Sequence, residues 1–326
     1  MRLFSSCKKL SISDKAILDG VNAPVAVCLG NFDGMHLGHQ AIFSRLFQES
    51  GKQAFKVLMT FSPHPKVVLG GAKQAEMQLL TPLRAKVALA AKFGFDAVYI
   101  VKFTRALAEL EPEEFLAQYF SRIMKPKLVV VGSDWCFGRG RRGRASTLVE
   151  LSGKFGFRAE VVEDVCNSEE SRVSSTLIRE AIGRGELERA REFLGRPFSI
   201  YGKVVRGAGR GGKIGFHTAN LQAAGYLCPP NGVYAMRAKI AGTDRIYDAV
   251  ANIGVRPTFN NSGRSVEIHL LDYHGEFGDN FYGHYMNAEF YSFIRPESKF
   301  SSVDALSEQI KKDIISAQTI LANWTK

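Results

Sequence analysis

Two imidazoles stand three residues apart behind a pair of glycines in Gly30-Asn31-Phe32-Asp33-Gly34-Met35-His36-Leu37-Gly38-His39. Three-residue spacing puts His36 and His39 on one face of a first helical turn. Gly30 and Gly34 permit a tight turn and close backbone approach, which makes Gly30, Phe32 and Gly34 candidate nucleotide contacts. The free N–H groups of a helix start bind anions, and two ring donors beside them suit charge developing on a transferring phosphate. The competing reading of such a pair is structural packing.

Val173-Ser174-Ser175-Thr176-Leu177-Ile178-Arg179 leads three hydroxyls into a helix with an arginine one turn on. Capping alone accounts for hydroxyls in such places, whereas Arg179 beside a helix start makes a clamp for β- and γ-phosphates. Gly132-Ser133-Asp134-Trp135-Cys136-Phe137-Gly138-Arg139-Gly140-Arg141-Arg142-Gly143 follows a strand-like run. Its glycines, the rings of Trp135 and Phe137, and the guanidinium of Arg141 suit a nucleotide lid or a ring contact. The same short run also reads as an exposed RNA patch.

The back half carries a third set. Gly207 to Gly215 is glycine-rich, and Gly207 and Lys213 could fold over phosphates. A flexible connection explains the loop equally well, and Ile214 stands where a Walker loop needs its metal-binding hydroxyl. Thr218 and Asn220, two apart, put two oxygens on one side of an extended segment, which suits Mg²⁺ held mainly by phosphates and water. Glu267 interrupts Ser265-Val266-Glu267-Ile268-His269-Leu270, with Val266, Ile268 and Leu270 forming the apolar face. It either faces solvent or, inside a barrel mouth, takes a proton from an attacking hydroxyl.

Positioning these groups takes two kinds of framework. Val25–Leu29, Phe55–Phe61, Ala97–Phe103, Leu128–Val131 and Arg158–Val162 are β-rich runs alternating with helical stretches such as Leu83–Lys92 and Pro112–Met124. That alternation predicts a mostly parallel sheet covered by helices, with ligands beyond the carboxyl ends of its strands. After Arg196-Pro197 the chain becomes strand and turn: Ser199–Val205, Val233–Ile240, Ile246–Asn252, Ser265–Tyr273 and Tyr285–Phe293. Asn231-Gly232 and Gly242-Thr243-Asp244 read as turns between them, and the whole reads as a small barrel or sandwich. A last helix, Val303–Trp324, carries Leu306, Ile310, Ile314 and Ile320 or Leu321 along one face to close one side.

The 326 residues suit two domains, and 45% apolar with 23% charged residues excludes a disordered, collagen-like or rod-like chain. A net charge of +11 favours an anionic partner: nucleic acid, a phospholipid surface or a phosphorylated small molecule. No apolar run approaches the roughly 18 to 20 residues of a membrane helix, and no apolar stretch follows Lys8 and Lys9. Cys7, Cys28, Cys136, Cys166 and Cys228 show no metal spacing and read as reduced, buried thiols of a cytoplasmic protein.

The G-x-F-D-G-x-H-x-G-H string, the S-S-T-x-I-R string, the Gly132–Gly143 run and Thr60-Phe61-Ser62-Pro63-His64-Pro65 resemble segments of the adenylyltransferase half of bacterial bifunctional riboflavin kinase/FAD synthetases. Leu194-Gly195-Arg196-Pro197-Phe198, Gly215-Phe216-His217-Thr218-Ala219-Asn220, Pro230–Tyr234, Ala251–Phe259, Val266–Leu270 and Phe293–Phe300 resemble the riboflavin kinase module. The resemblance implies a Rossmann-like nucleotidyltransferase domain over residues 1–195. It further implies a six-stranded antiparallel β-barrel with a C-terminal helix over 196–326. It implies that riboflavin is phosphorylated to FMN and FMN adenylylated to FAD, with ATP and Mg²⁺, no membrane partner, and an open oligomeric state.

By the same resemblance His36 and His39 neutralise the transition state, while Ser174, Ser175, Thr176 and Arg179 hold phosphates. Asp134, Trp135, Phe137 and Arg141 contact substrate, Thr218 and Asn220 meet Mg²⁺-ATP, and Glu267 is the base for the riboflavin 5′-hydroxyl. Asn252 and Arg295 complete the flavin contacts. One departure stands out: His217 replaces the proline of the family's P-T-A-N, relaxing the restraint on Thr218. Kinase activity is expected to survive this. The alternatives are a chain in which only the adenylyltransferase half works, and a basic RNA-binding or regulatory protein with idle motifs.

Overall fold

A computed structural model describes residues 8–11, 21–70, 77–166, 172–205, 218–255, 264–273 and 282–324. The chain divides into two compact units, Arg2–Ser175 and Thr176–Lys326.

The first unit is built on six parallel strands: β1 (Lys8–Ser11), β2 (Val25–Leu29), β3 (Phe55–Ser62), β4 (Ala97–Lys102), β5 (Leu128–Gly132) and β6 (Arg158–Val162). Their order across the sheet is β1-β4-β3-β2-β5-β6. The central strands are apolar on both sides because both sides are covered. Along β2, Val25, Val27 and Leu29 enter one core with Leu116, Phe120 and Leu148. Ala26 and Cys28, pointing the other way, enter a second core with Phe43, Leu46 and Ala90. The second core lies under α1 (Leu37–Glu49) and α2 (Leu83–Phe93), and α3 (Ala145–Ser152) lies over the first.

Two sequence expectations change here. The stretch read as one helix from Pro112 to Met124 is α-helical only over Pro112–Leu116 and continues as a π-helix over Ala117–Met124. It ends at Lys125, whose φ of 43° is left-handed. Strand β1 had no β-branched run to announce it; it is an edge strand pairing with β4.

The second unit opens with α4 (Ser175–Arg184) and α5 (Leu187–Leu194), the latter packed against barrel strands. Six antiparallel strands follow: β7 (Phe198–Val205), β8 (Thr218–Leu221), β9 (Gly232–Ile240), β10 (Ile246–Val255), β11 (Arg264–Leu270) and β12 (Tyr285–Arg295). They close into a barrel in the order β8-β11-β10-β9-β12-β7. Register puts Ala219, Ile268, Ala251 and Tyr234 in one fully buried row across four strands. The opposite faces of β9 and β10 are covered by α6 (Val303–Asn323), where Ala317 and Leu321 meet Val233, Ala235 and Val250.

The barrel expected from the family resemblance is thus present, with local corrections. The buried stripe of α6 runs through Asp313, Ala317 and Leu321, while Leu306 and Ile310 are half-buried. Asp313 is tolerated there because Arg295 grips its carboxylate through Nε and Nη2 at 2.8 and 2.7 Å, and Gln309 donates a third bond at 2.9 Å. Gly232 starts β9 instead of turning a hairpin. A Cβ there would stand 2.5 Å from the Phe293 ring and 2.7 Å from the Arg295 carbonyl, so close approach requires the glycine. Gly242-Thr243-Asp244 does lie in the turn between β9 and β10. Cys28 and Cys228 are buried free thiols, but Cys166 is exposed and Cys136 half-exposed.

Candidate active sites

Strand order reverses between β2 and β5, since β3 lies on one side of β2 and β5 on the other. Ligands of open parallel sheets bind beyond the strand ends at such a point. The segment leaving β2 there is the Gly30–His36 loop. Phe32, Gly34 and Met35 all take positive φ values, 47°, 90° and 42°, so the turn is strained at two non-glycine residues. Phe32 folds its ring back over Gly30, where a Cβ would sit 3.0 Å from the ring carbons.

His36 is the residue immediately before α1 and His39 the third residue of that helix. Their rings stack at 3.6 Å between centroids, and Phe32 meets His39 edge-on at 5.2 Å. Gly38 makes the stack possible, because a Cβ there would lie 3.2 Å from His36 Nδ1. The same position would be 3.8 Å from the Val173 carbonyl, so the segment preceding Ser174 runs beside the histidines. Ser175 Oγ donates to the Asp33 carbonyl at 2.8 Å, joining the hydroxyl string to the loop. Thr176 is exposed and Arg179 half-buried, both further along α4.

The loop rests on a polar bed that the sequence motifs did not announce. The Asp33 carboxylate accepts from the Leu80 and Thr81 N–H groups at 3.2 and 2.8 Å. Gly34 N–H donates to Thr81 Oγ1 at 2.7 Å. Lys86 of α2, buried, donates through Nζ to the Asn31 carbonyl at 2.5 Å and to Thr60 Oγ1 at 3.2 Å. Burial pushes the Lys86 ammonium down to about 8, against the opposing pull of Asp33. Nothing in the Leu83–Lys92 periodicity marks this lysine as buried.

At the end of β5, a Cβ on Gly132 would lie 3.3 Å from both Asp134 Oδ1 and Ile42 Cδ1, so Asp134 stands close to α1. Its carboxylate is ion-paired with Arg172, which also holds Asp164 at 3.0 Å. Trp135 and Phe137 stack at 4.4 Å with 14° between their planes. Gly143 lies against Phe137 so closely that a Cβ would come within 2.7 Å of the ring. Arg141 Nη2 points to Cys136 Sγ at 3.6 Å. The neighbouring guanidinium groups are engaged by carboxylates, Arg139 by Glu109 at 3.2 Å and Arg142 by Glu111 at 3.3 Å, which weakens the RNA-patch reading.

In the barrel, register aligns Asn220 with Glu267 and Glu267 with Asn252, on adjacent strands. Asn252 is aligned with Val233, and Val233 with Arg295. These five residues form one row across β8, β11, β10, β9 and β12. Because Val266, Ile268 and Leu270 fill the interior, this row lies on the outer face, and Glu267 is half-exposed there instead of inside a barrel mouth. Thr218 shares that face, two residues from Asn220 and aligned with His269. Asn220 is buried. Asn252 Nδ2 donates to Glu297 Oε1 at 3.1 Å, and Gly254 leaves room for that carboxylate. Glu297 and Lys86 carry no spacing signal in the sequence. Gly207, Lys213 and His217 lie outside the described residues.

A family model described as FAD synthetase matches residues 19–177, and one described as riboflavin kinase matches residues 194–321. A bifunctional riboflavin kinase/FMN adenylyltransferase of Listeria monocytogenes is 37% identical over 291 residues, covering 88% of this chain and 89% of that protein. This chain belongs to the bifunctional riboflavin kinase/FMN adenylyltransferase family. The family's Bacillus subtilis member is 36% identical over 310 residues, 93% of this chain and 95% of its own length. A solved structure described as a macrolide-efflux protein from Streptococcus pneumoniae superimposes with a TM-score of 0.79 at 30% identity, covering 97% of this chain and 99% of that one. Among the described residues of this chain no helix is long and apolar enough to cross a membrane.

Proposed function

We propose that the chain makes FMN from riboflavin and ATP in residues 196–326, and FAD from FMN and ATP in residues 1–195, releasing pyrophosphate. The observation that carries this reading is that two polar constellations, one at the carboxyl ends of β2 and β5 and one along the barrel strands, are each suited to one of the two transfers. In the first, an FMN phosphate oxygen attacks the α-phosphorus of ATP. The stacked His36 and His39 and the N–H groups at the start of α1 face the charge that develops, while Ser174, Ser175, Thr176 and Arg179 bind the departing phosphates. The Trp135–Phe137 stack is assigned to the flavin ring, and Asp134 and Arg141, from the same segment, to substrate.

In the second unit Glu267 takes the proton of the riboflavin 5′-hydroxyl as that oxygen receives the γ-phosphoryl group of ATP. Asn252, held by Glu297, flanks it along the row, and Arg295, held by Asp313, ends the row. Gly207 and Lys213 are assigned to ATP from their sequence context. The Thr218 hydroxyl and the Asn220 amide oxygen are hard, neutral donors on one face, a set that fits Mg²⁺ carried mainly by phosphate and water. Bound there, the ion supplies neutralisation of phosphate charge. Four free cysteines among the described residues and substrates of the cell interior support a cytoplasmic setting.

Incubation of the purified protein with riboflavin, ATP and Mg²⁺, followed by separation of flavins, is expected to yield both FMN and FAD. FAD formed only from supplied FMN would confine activity to the first unit and single out His217 as the lesion, which His217→Pro should then repair. Formation of neither flavin would overturn the reading.

A further inference from the structure

Buried polar and charged side chains are unevenly spread. Among the described residues Asp33, His36, Thr60, Thr81 and Lys86 gather at the single loop that follows β2, whereas Asn220 and Asp313 lie in the barrel unit. Of the five, His36 alone has a place in the chemistry assigned above, and among the other four Lys86 brings a buried ammonium, which is costly enough to need a reason.

We propose that Lys86 is a positioning residue for adenylyl transfer, its ammonium group holding the Asn31 carbonyl from below so that the strained Gly30–His36 turn keeps its shape and its N–H groups their direction. This rests on the adenylyltransferase reading of the first unit. Three observations carry it. The turn is locally unfavourable, with Phe32 and Met35 at positive φ, so its geometry must be imposed by its surroundings. The imposing contacts are distributed around it: Thr81 and the Leu80 and Thr81 N–H groups fix its middle, Ser175 fixes the Asp33 carbonyl, and Lys86 with Thr60 fixes the Asn31 carbonyl.

The third observation is electrostatic. A cation on a peptide carbonyl polarises the whole peptide unit and makes its N–H a stronger donor. Here that unit is Asn31–Phe32, in the turn facing the proposed phosphates. A threonine or a water could anchor the carbonyl as well as a lysine does, but neither brings charge. The charged group facing Lys86 is the Asp33 carboxylate from the loop itself. Strand β3 brings the neutral Thr60 hydroxyl, the residues before α2 bring the neutral Thr81 hydroxyl, and His36 closes the loop at the start of α1. With burial holding the ammonium down to about 8, its charge is present at neutral pH and is lost as pH rises through that value.

The test compares wild type, Lys86→Met and Lys86→Gln in two separate assays, FMN to FAD and riboflavin to FMN, between pH 6.5 and 9.5. Wild type is expected to lose FAD-forming kcat above about pH 8. Lys86→Met is expected to fall at least tenfold in that kcat with little change in KM for FMN, to show no alkaline limb, and to phosphorylate riboflavin at the wild-type rate. Lys86→Gln, which keeps a donor without the charge, is expected to recover part of the rate and none of the limb. Wild-type rates and pH profiles in both variants would overturn the proposal, as would a fall in both activities together with a lower melting temperature. A wild type that forms no FAD at any pH instead overturns the underlying reading of the unit.

Discussion

The Lys86 ammonium, at about 8 in the folded chain against an ordinary 10.5, sets a conflict between stability and use. A cation whose folded value is depressed penalises the native state while it stays protonated, here below pH 8. That penalty fades as pH rises toward the unfolded value. The gap corresponds to about 3 kcal/mol, offset in part by the bonds to Asn31 and Thr60. Lys86→Met is therefore expected to melt no lower than wild type at pH 7. Any advantage it has should shrink between pH 8 and pH 9.5, which thermal melts at several pH values would reveal. A variant that is as stable or more stable, yet slower, marks a residue kept for function.

At the scale of elements, the barrel row depends on what lies behind it. Arg295 ends the row and is braced by Asp313 of α6, which is only 4% exposed in its side chain. Asp313→Ala leaves a guanidinium half-buried without its partner, a change that costs about 3 to 5 kcal/mol. Urea unfolding followed by tryptophan fluorescence in a Trp135→Phe background, which leaves Trp324 as reporter, is expected to give an unfolding free energy lower by that amount and a lower midpoint. Trp324 is a suitable reporter because it packs edge-on against Tyr291 of β12 at 5.4 Å and under Arg191 of α5 at 4.2 Å. The elements that could be read from sequence were those with a strong period. Val25–Leu29 and Leu128–Gly132 are dense in buried apolar residues, and Glu267 stands out in an alternating strand. Those missed were short or atypical. Lys8–Ser11 spans four residues, and the Ala117–Met124 π-helix has the composition of an ordinary helix. The loop's bed was illegible because Thr81 and Lys86 lie far along the chain from Asn31 and Asp33 and meet them only on folding.

Across the whole molecule, the charge of +11 has a more modest meaning than a count of lysines and arginines suggests. Arg139, Arg142, Arg158 and Arg172 are each bound to a carboxylate, so these guanidinium groups, three of them in or beside the Gly132–Gly143 and hydroxyl segments, are already engaged within the chain. The two proposed sites also make a strong internal control. His39→Ala is expected to lower FAD formation from FMN by about 10²- to 10³-fold and leave riboflavin phosphorylation intact. Glu267→Gln is expected to do the reverse, and loss of both activities in either variant would point to unfolding.

The Asn220–Glu267–Asn252 alignment also bears on how such a barrel tolerates insertions and deletions. Side chains on a strand alternate with a period of two, so adding one residue within β11 ahead of Glu267 would exchange its faces. The carboxylate would turn inward among Ala219, Ala251 and Tyr234, and Val266 or Ile268 would take its place on the outer face. Adding two would restore the facing but slide Glu267 away from both asparagines. Length variation in this half of the chain should therefore be excluded from β8, β10 and β11, whatever residues occupy them, and be confined to the connections between strands.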